Sequence, residues 1–162
     1  MSSSPAPVLD AVENFFSRPQ WAPLYRQESL DELASTLKLR YYHPGDQIVE
    51  QGARPSTCLF IVEGKIEVKK KGLRGERFVA ETPPGRTVCE QSFFDFEPAG
   101  ASCYAKDKVA LLLLDREDYD ALALRHPQTA LILTQLLAAI ISQRLRNVMG
   151  KLSELSEGFG IR

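Results

Sequence analysis

Apolar residues along the chain change period twice. In the segment VLDAVENFF, Val8, Val12, Phe15 and Phe16 fall on one helical face, and Pro19 ends the run. Residues 1–7, rich in Ser and Pro, read as a flexible leader ahead of it. A second amphipathic helix is predicted from about Ser29, with Leu30, Leu33, Leu37 and Leu39 as its apolar positions. From residue 39 to residue 115 the pattern shortens. CLFIVEG, KIEVKK, RFVAE and KVALLLL alternate or are solidly apolar, and turns at HPGD, EQG, VEGK, KKGLRG and TPPG separate them. Closely spaced short strands with Gly-bearing turns predict an antiparallel sandwich or barrel.

Helical spacing returns after Leu114. Asp115 suits an N-cap, and Pro127 suits the first position of a long helix that Gly158 ends. That helix carries two stripes. Leu133, Leu136, Leu137 and Ile140 make a face for the barrel or the other helices. Ala138, Ile141, Leu145, Val148, Leu152 and Leu155 follow alternating spacings of three and four, the seam of a coiled coil, so a homodimer through this helix is expected. Docking of the second stripe on the N-terminal helices is the alternative. The resulting division is 1–7 leader, 8–38 N-terminal helices, 39–115 barrel and 116–162 closing helices with the dimerisation helix.

Composition narrows the function classes. A net charge of -1 gives no general field for nucleic acid or an anionic membrane. The N-terminus has neither basic leader nor apolar core, and the longest apolar stretch, from Ala130, is too short to span a bilayer, so a cytoplasmic protein with no membrane span is expected. Cys58, Cys89 and Cys103 have no CxxC spacing and read as reduced packing residues. His43 and His126 stand apart from each other and from any ligating group, so no metal site is expected. No nucleophile elbow, HExxH pair or glycine-rich nucleotide loop occurs, which argues against an enzyme and leaves no catalytic residue to name. The basic run KIEVKKKGLRGER alternates around a turn and reads as a hairpin with a solvated face.

Four segments in order, YHPGDQIVEQG from Tyr42, STCLFIVEGKIEV from Ser56, PPG from Pro83 and VALLLLDREDYDALALRHP from Val109, resemble the cyclic nucleotide-binding domain superfamily. That superfamily includes the catabolite activator protein and the regulatory subunit of protein kinase A. The resemblance implies a mainly β fold: a jelly-roll-like antiparallel barrel with N-terminal helices and a long C-terminal helix. It also implies a phosphate-binding cassette, here within residues 85–105.

The cassette is where the chain departs from the family. The family pattern F-G-E-L-A falls on Val88, Cys89, Glu90, Gln91 and Ser92; Glu90 takes the place of the glutamate that accepts from the ribose 2′-hydroxyl. The second half falls on Glu97 to Cys103, and the phosphate-pairing arginine becomes Ala99, followed by Gly100 and Ala101. Losing a charge-assisted bidentate contact removes about 1.5–3 kcal/mol per hydrogen bond, and Glu90, Asp95 and Glu97 add negative charge around an anion site. The resemblance thus names cyclic AMP or cyclic GMP as the implied ligand, and the lost arginine argues against ordinary binding of either. Three outcomes stay open: a pocket filled by Phe93, Phe94 or Phe96; a substitute cation such as Arg54, Arg74, Arg77, Arg86 or a residue of a second subunit; or a different ligand. Relatives often continue into a helix-turn-helix that is absent before Arg162, so the expected role is regulatory, through an unidentified protein partner in a signalling complex and without direct DNA binding.

Overall fold

The computed structural model describes residues 6–160; of the leader predicted over 1–7, residues 1–5 lie outside the described residues. Ala6 and Pro7 already belong to the first helix, α1 (Ala6–Phe16). A 3₁₀ turn, Pro19–Leu24, and α2 (Gln27–Thr36) follow. Leu39, assigned by its spacing to the second helix, instead lies in β1 (Lys38–Tyr42), because the chain turns extended at Leu37.

The remaining strands are β2 (Gln47–Val49), β3 (Thr57–Glu63), β4 (Ile66–Gly72), β5 (Gly75–Thr82), β6 (Thr87–Val88), β7 (Ser102–Ala105) and β8 (Val109–Asp115). They form two four-stranded sheets ordered β1-β8-β3-β6 and β2-β7-β4-β5, with every pairing antiparallel. Two such sheets of interleaved order are the jelly-roll-like barrel expected from the sequence. The helix α3 (Glu90–Asp95) interrupts the strands between β6 and β7, and α4 (Arg116–Arg125) and α5 (Pro127–Gly158) close the chain.

The solid apolar runs of β3 and β8 are explained by burial on both faces. Cys58 and Phe60 of β3, with Leu112 and Leu114 of β8, face a core built under the helices. Their alternates Leu59, Ile61, Leu111 and Leu113 face a second core inside the barrel. The helical core is aromatic: Phe15, Phe16, Trp21 and Phe60 lie with ring centroids 4.9–6.0 Å apart. Trp21 comes from the 3₁₀ turn and gives its indole N–H to the Gly85 carbonyl at 3.2 Å. Gly85 takes φ +88°, and a Cβ there would stand 2.5 Å from Arg18 Cδ, so the N-terminal segment clamps the turn that leads into β6 and only glycine fits.

Asp115 does precede α4, but its side chain makes no cap. Its carboxylate accepts from Lys38 Nζ at 2.8 Å and from Thr57 Oγ1 at 2.7 Å, and Lys38 first, then Thr57, holds it below the usual carboxylate range. The long helix spans 32 residues, about 48 Å at 1.5 Å per residue. Leu133 and Leu137 of its first stripe are fully buried. The second stripe does not dock on the N-terminal helices: Leu145, Val148, Leu152 and Leu155 are 58–62% exposed, Ala138 is exposed and Ile141 half-buried. Phe159, four residues beyond Leu155 and 77% exposed, extends the same line. Among the described residues no helix is long and apolar enough to cross a membrane, and no cluster of three His, Cys, Asp or Glu side chains is placed to hold a metal ion.

Candidate functional site

A cavity of about 710 Å³ opens beside the barrel core, within the size range of small-molecule sites. Its wall includes all eight cassette positions singled out by the sequence, Val88, Cys89, Glu90, Gln91, Ser92, Ala99, Gly100 and Ala101. The β4–β5 hairpin adds Val68, Lys70, Val79 and Glu81, and α5 adds Arg144, Asn147 and Val148.

The first half of the cassette keeps its backbone frame at a local cost. Cys89 takes φ +66°, the left-handed region that the family's glycine enters freely and a cysteine enters at about 1–2 kcal/mol. That turn brings Glu90 inward at the start of α3, where it is 1% exposed. Glu90 Oε1 pairs with the Arg144 guanidinium, which also donates to the Thr87 carbonyl. Glu90 Oε2 and Thr87 Oγ1 are buried without a hydrogen-bond partner among the described residues. Burial lowers the Arg144 pKa, and the neighbouring positive charge of Arg86 lowers it further.

The second half offers less. Ala99 is buried in the barrel core, its N–H bound to the Ala53 carbonyl at 2.7 Å and its carbonyl accepting from Gly52 at 2.8 Å. Neither charge nor a free amide remains at the position where the family places arginine. Cys103 and Cys89 also line the cavity; burial pushes their thiols up to about 11 and about 12. Both stay protonated at neutral pH.

Several sequence expectations are corrected here. Of the three acidic residues in the loop only Glu90 reaches the cavity; Asp95 and Glu97 are exposed outside it. None of the three phenylalanines lines it. Phe93 is fully buried in the helical core against Phe94 and Tyr119, and Phe96 is exposed. Of the candidate cations Arg86 reaches the wall, whereas Arg54 donates to the Phe96 carbonyl at 3.2 Å and Arg74 and Arg77 lie exposed on the hairpin. His126 is not isolated, since its Nδ1 lies 3.1 Å from Glu32 Oε1.

Arg144 escaped the sequence reading, although a signal existed. It follows Leu133, Leu137 and Ile140 at steps of four, three and four, so it continues the barrel-facing stripe as a lone cation. Arg116 was also missed. At the start of α4 it sits 5.2–5.5 Å from the ring centroids of Phe93, Phe96 and Tyr119 and donates to the Phe93 carbonyl at 3.3 Å, joining the cassette helix to the closing helices.

A jelly-roll-like barrel whose strand-to-strand cassette and closing helix line a cavity is the architecture of a regulatory domain class. The cyclic nucleotide-binding domain family matches residues 39–126, and the chain belongs to that family. It is 35% identical over 130 residues to the cyclic AMP receptor protein of Thermus thermophilus, covering 80% of this chain and 58% of the relative. The crystal structure of the Thermus thermophilus catabolite activator protein superposes with a TM-score of 0.71 at 33% identity, covering 82% of this chain and 61% of that one. A cyclic nucleotide-binding domain from Methylobacillus flagellatus superposes at 0.77 with 20% identity, covering 91% and 81%, a likeness of fold.

Proposed function

We propose that the chain is a non-catalytic, cytoplasmic regulatory domain that reads a small nucleotide-class ligand in the cavity and transmits its presence through α5 to a second copy and thence to a partner protein. The observation that carries this is Val148. It lines the cavity together with Arg144 and Asn147, and it also belongs to the exposed seam Ala138, Ile141, Leu145, Val148, Leu152 and Leu155. A ligand in contact with that helix bears directly on whatever the seam binds. Differential contact with two arrangements of α5 is the whole thermodynamic requirement for such a switch.

A second reading is a protein-interaction module that binds no nucleotide, and Ala99, with both backbone groups spent on Gly52 and Ala53, favours it. Calorimetric titration with cyclic AMP and cyclic GMP separates the two. Micromolar binding supports the sensor, and silence supports the module. The seam has a separate test, since Leu145→Glu with Val148→Glu is expected to convert a sedimenting dimer to monomer with an unchanged far-ultraviolet spectrum. An unaltered mass removes the seam.

A further inference from the structure

Charge on the cavity wall is unevenly satisfied. Glu81 turns its carboxylate to Lys106 at 2.8 Å and Lys65 at 3.8 Å, and Glu90 is engaged with Arg144. Arg86 and Lys70 line the cavity with no carboxylate partner among the described residues. Burial first, and then the positive charge of Arg86, lower the Arg144 pKa, so the two cations lie within each other's field. Two guanidinium groups on one wall, of which only Arg144 has a carboxylate partner among the described residues, make a place that an anion completes. Beside them the buried Glu90 Oε2 lacks a donor. Cation pair and bare acceptor together describe a ligand bearing both a phosphate and a hydroxyl.

Resting on the reading of the cavity as a ligand site, with Glu90 in the hydroxyl-accepting place that the family gives it, we infer that the ligand's phosphate is received by Arg144 of α5 and Arg86 of the β5–β6 turn, with no part played by position 99. The anion-binding side chain has moved from the cassette to the output helix. Phosphate capture then draws on the same guanidinium that ties α5 to Glu90 and to the Thr87 carbonyl. Binding and the anchoring of α5 become one event, where a cassette arginine would have kept them apart.

The test titrates cyclic AMP and cyclic GMP into the whole chain and into Arg144→Gln, Arg144→Lys, Arg86→Gln, Ala99→Arg and the double variant Ala99→Arg/Arg144→Gln, with melting curves to certify the fold. Amide exchange of residues 141–158 is followed with and without nucleotide. Arg144→Gln is expected to weaken binding at least about tenfold, Arg144→Lys to recover part of it, and Arg86→Gln to weaken it less. The double variant should regain affinity while α5 exchange stops responding to nucleotide. Undiminished binding by folded Arg144→Gln and Arg86→Gln overturns the inference and leaves the cavity reading standing. So does a wild type that is silent while Ala99→Arg binds. Silence in both overturns the cavity reading as well.

Discussion

The two cores share strands and little else. Under the helices, β3 and β8 present Phe60, Leu112 and Leu114 to a cluster of Phe15, Phe16 and Trp21, all fully buried. Inside the barrel the same strands present Leu59, Ile61, Leu111 and Leu113 to smaller partners, Val49, Val88, Ala99, Cys103 and Ala105, with the cavity alongside. One core commits its apolar area to packing; the other keeps small side chains beside the cavity. The larger aromatic packing thus lies away from the cavity, and the expectation is that most of the stability lies there too.

The largest effect that can test this contrast is truncation of the shared aromatic. Phe60→Ala opens a hole against the three rings of Phe15, Phe16 and Trp21 and is expected to cost about 3–5 kcal/mol, read from the urea midpoint. A loss below about 1 kcal/mol would mean that the helices are not the seat of stability.

Alkali should strike both cores, because burial raises the thiols of Cys58 in the helical core and of Cys89 and Cys103 beside the barrel core. The folded Cys103 thiol titrates at about 11, against an ordinary value of 9.0, because burial disfavours its thiolate. Above pH 9 the unfolded chain loses this proton first, so stability is complete below pH 9 and declines as pH rises toward about 11. The loss attributable to this thiol is about 2–3 kcal/mol at the top of that window. Cys103→Ala should make that decline shallower between pH 8 and 11, leaving the share that the buried Cys58 and Cys89 thiols contribute. Parallel curves for variant and wild type would show that the thiol does not contribute.

A gentler probe of the barrel is Ile61→Val, which removes one buried methylene next to the cavity side and should cost about 0.5–1.5 kcal/mol. Nucleotide affinity should move little, because Ile61 does not line the cavity wall. A parallel fall in affinity and stability would instead tie the packing of the barrel core to the cavity.

Most of the frame was legible in the sequence because it is periodic. The alternation around CLFIVEG and VALLLL, the glycine turns and the stripe Leu133–Leu137 all carry local signals that the tertiary structure does not override. The cassette's eight positions were legible through the resemblance. What was hidden depends on distance in the chain. Arg144 reaches Glu90 across 54 residues of sequence, and Trp21 reaches Gly85 across 64, so neither contact has a spacing that marks it. Glu97 and Asp95 misled because charge was counted along the loop, while the loop turns their side chains outward at Phe96, whose φ is +61°. The 3₁₀ turn went unseen because Pro19 was read only as the end of the first helical run, although it also opens the turn.

The smallest expected effect falls on the far half of α5. Gly150 sits in the helix interior with helical backbone, and a Cβ there would meet nothing within 4 Å. Gly150→Ala should therefore gain about 0.8–1 kcal/mol of helix propensity with no steric penalty. Whether that gain reaches the whole protein depends on what the segment is coupled to. Leu145, Val148, Leu152 and Leu155 leave it without packing inside one chain, so in a monomer the segment unfolds by itself and the barrel's melting point stays put. Amide exchange over residues 151–158 should then slow by about fivefold while exchange in β3 and β8 is unchanged. In a dimer held by the seam, the same substitution also raises the global midpoint and makes it depend on protein concentration. Repeating it on Leu145→Glu/Val148→Glu should erase the global part and keep the local one, which assigns the second stripe to the partner copy and the first to the barrel.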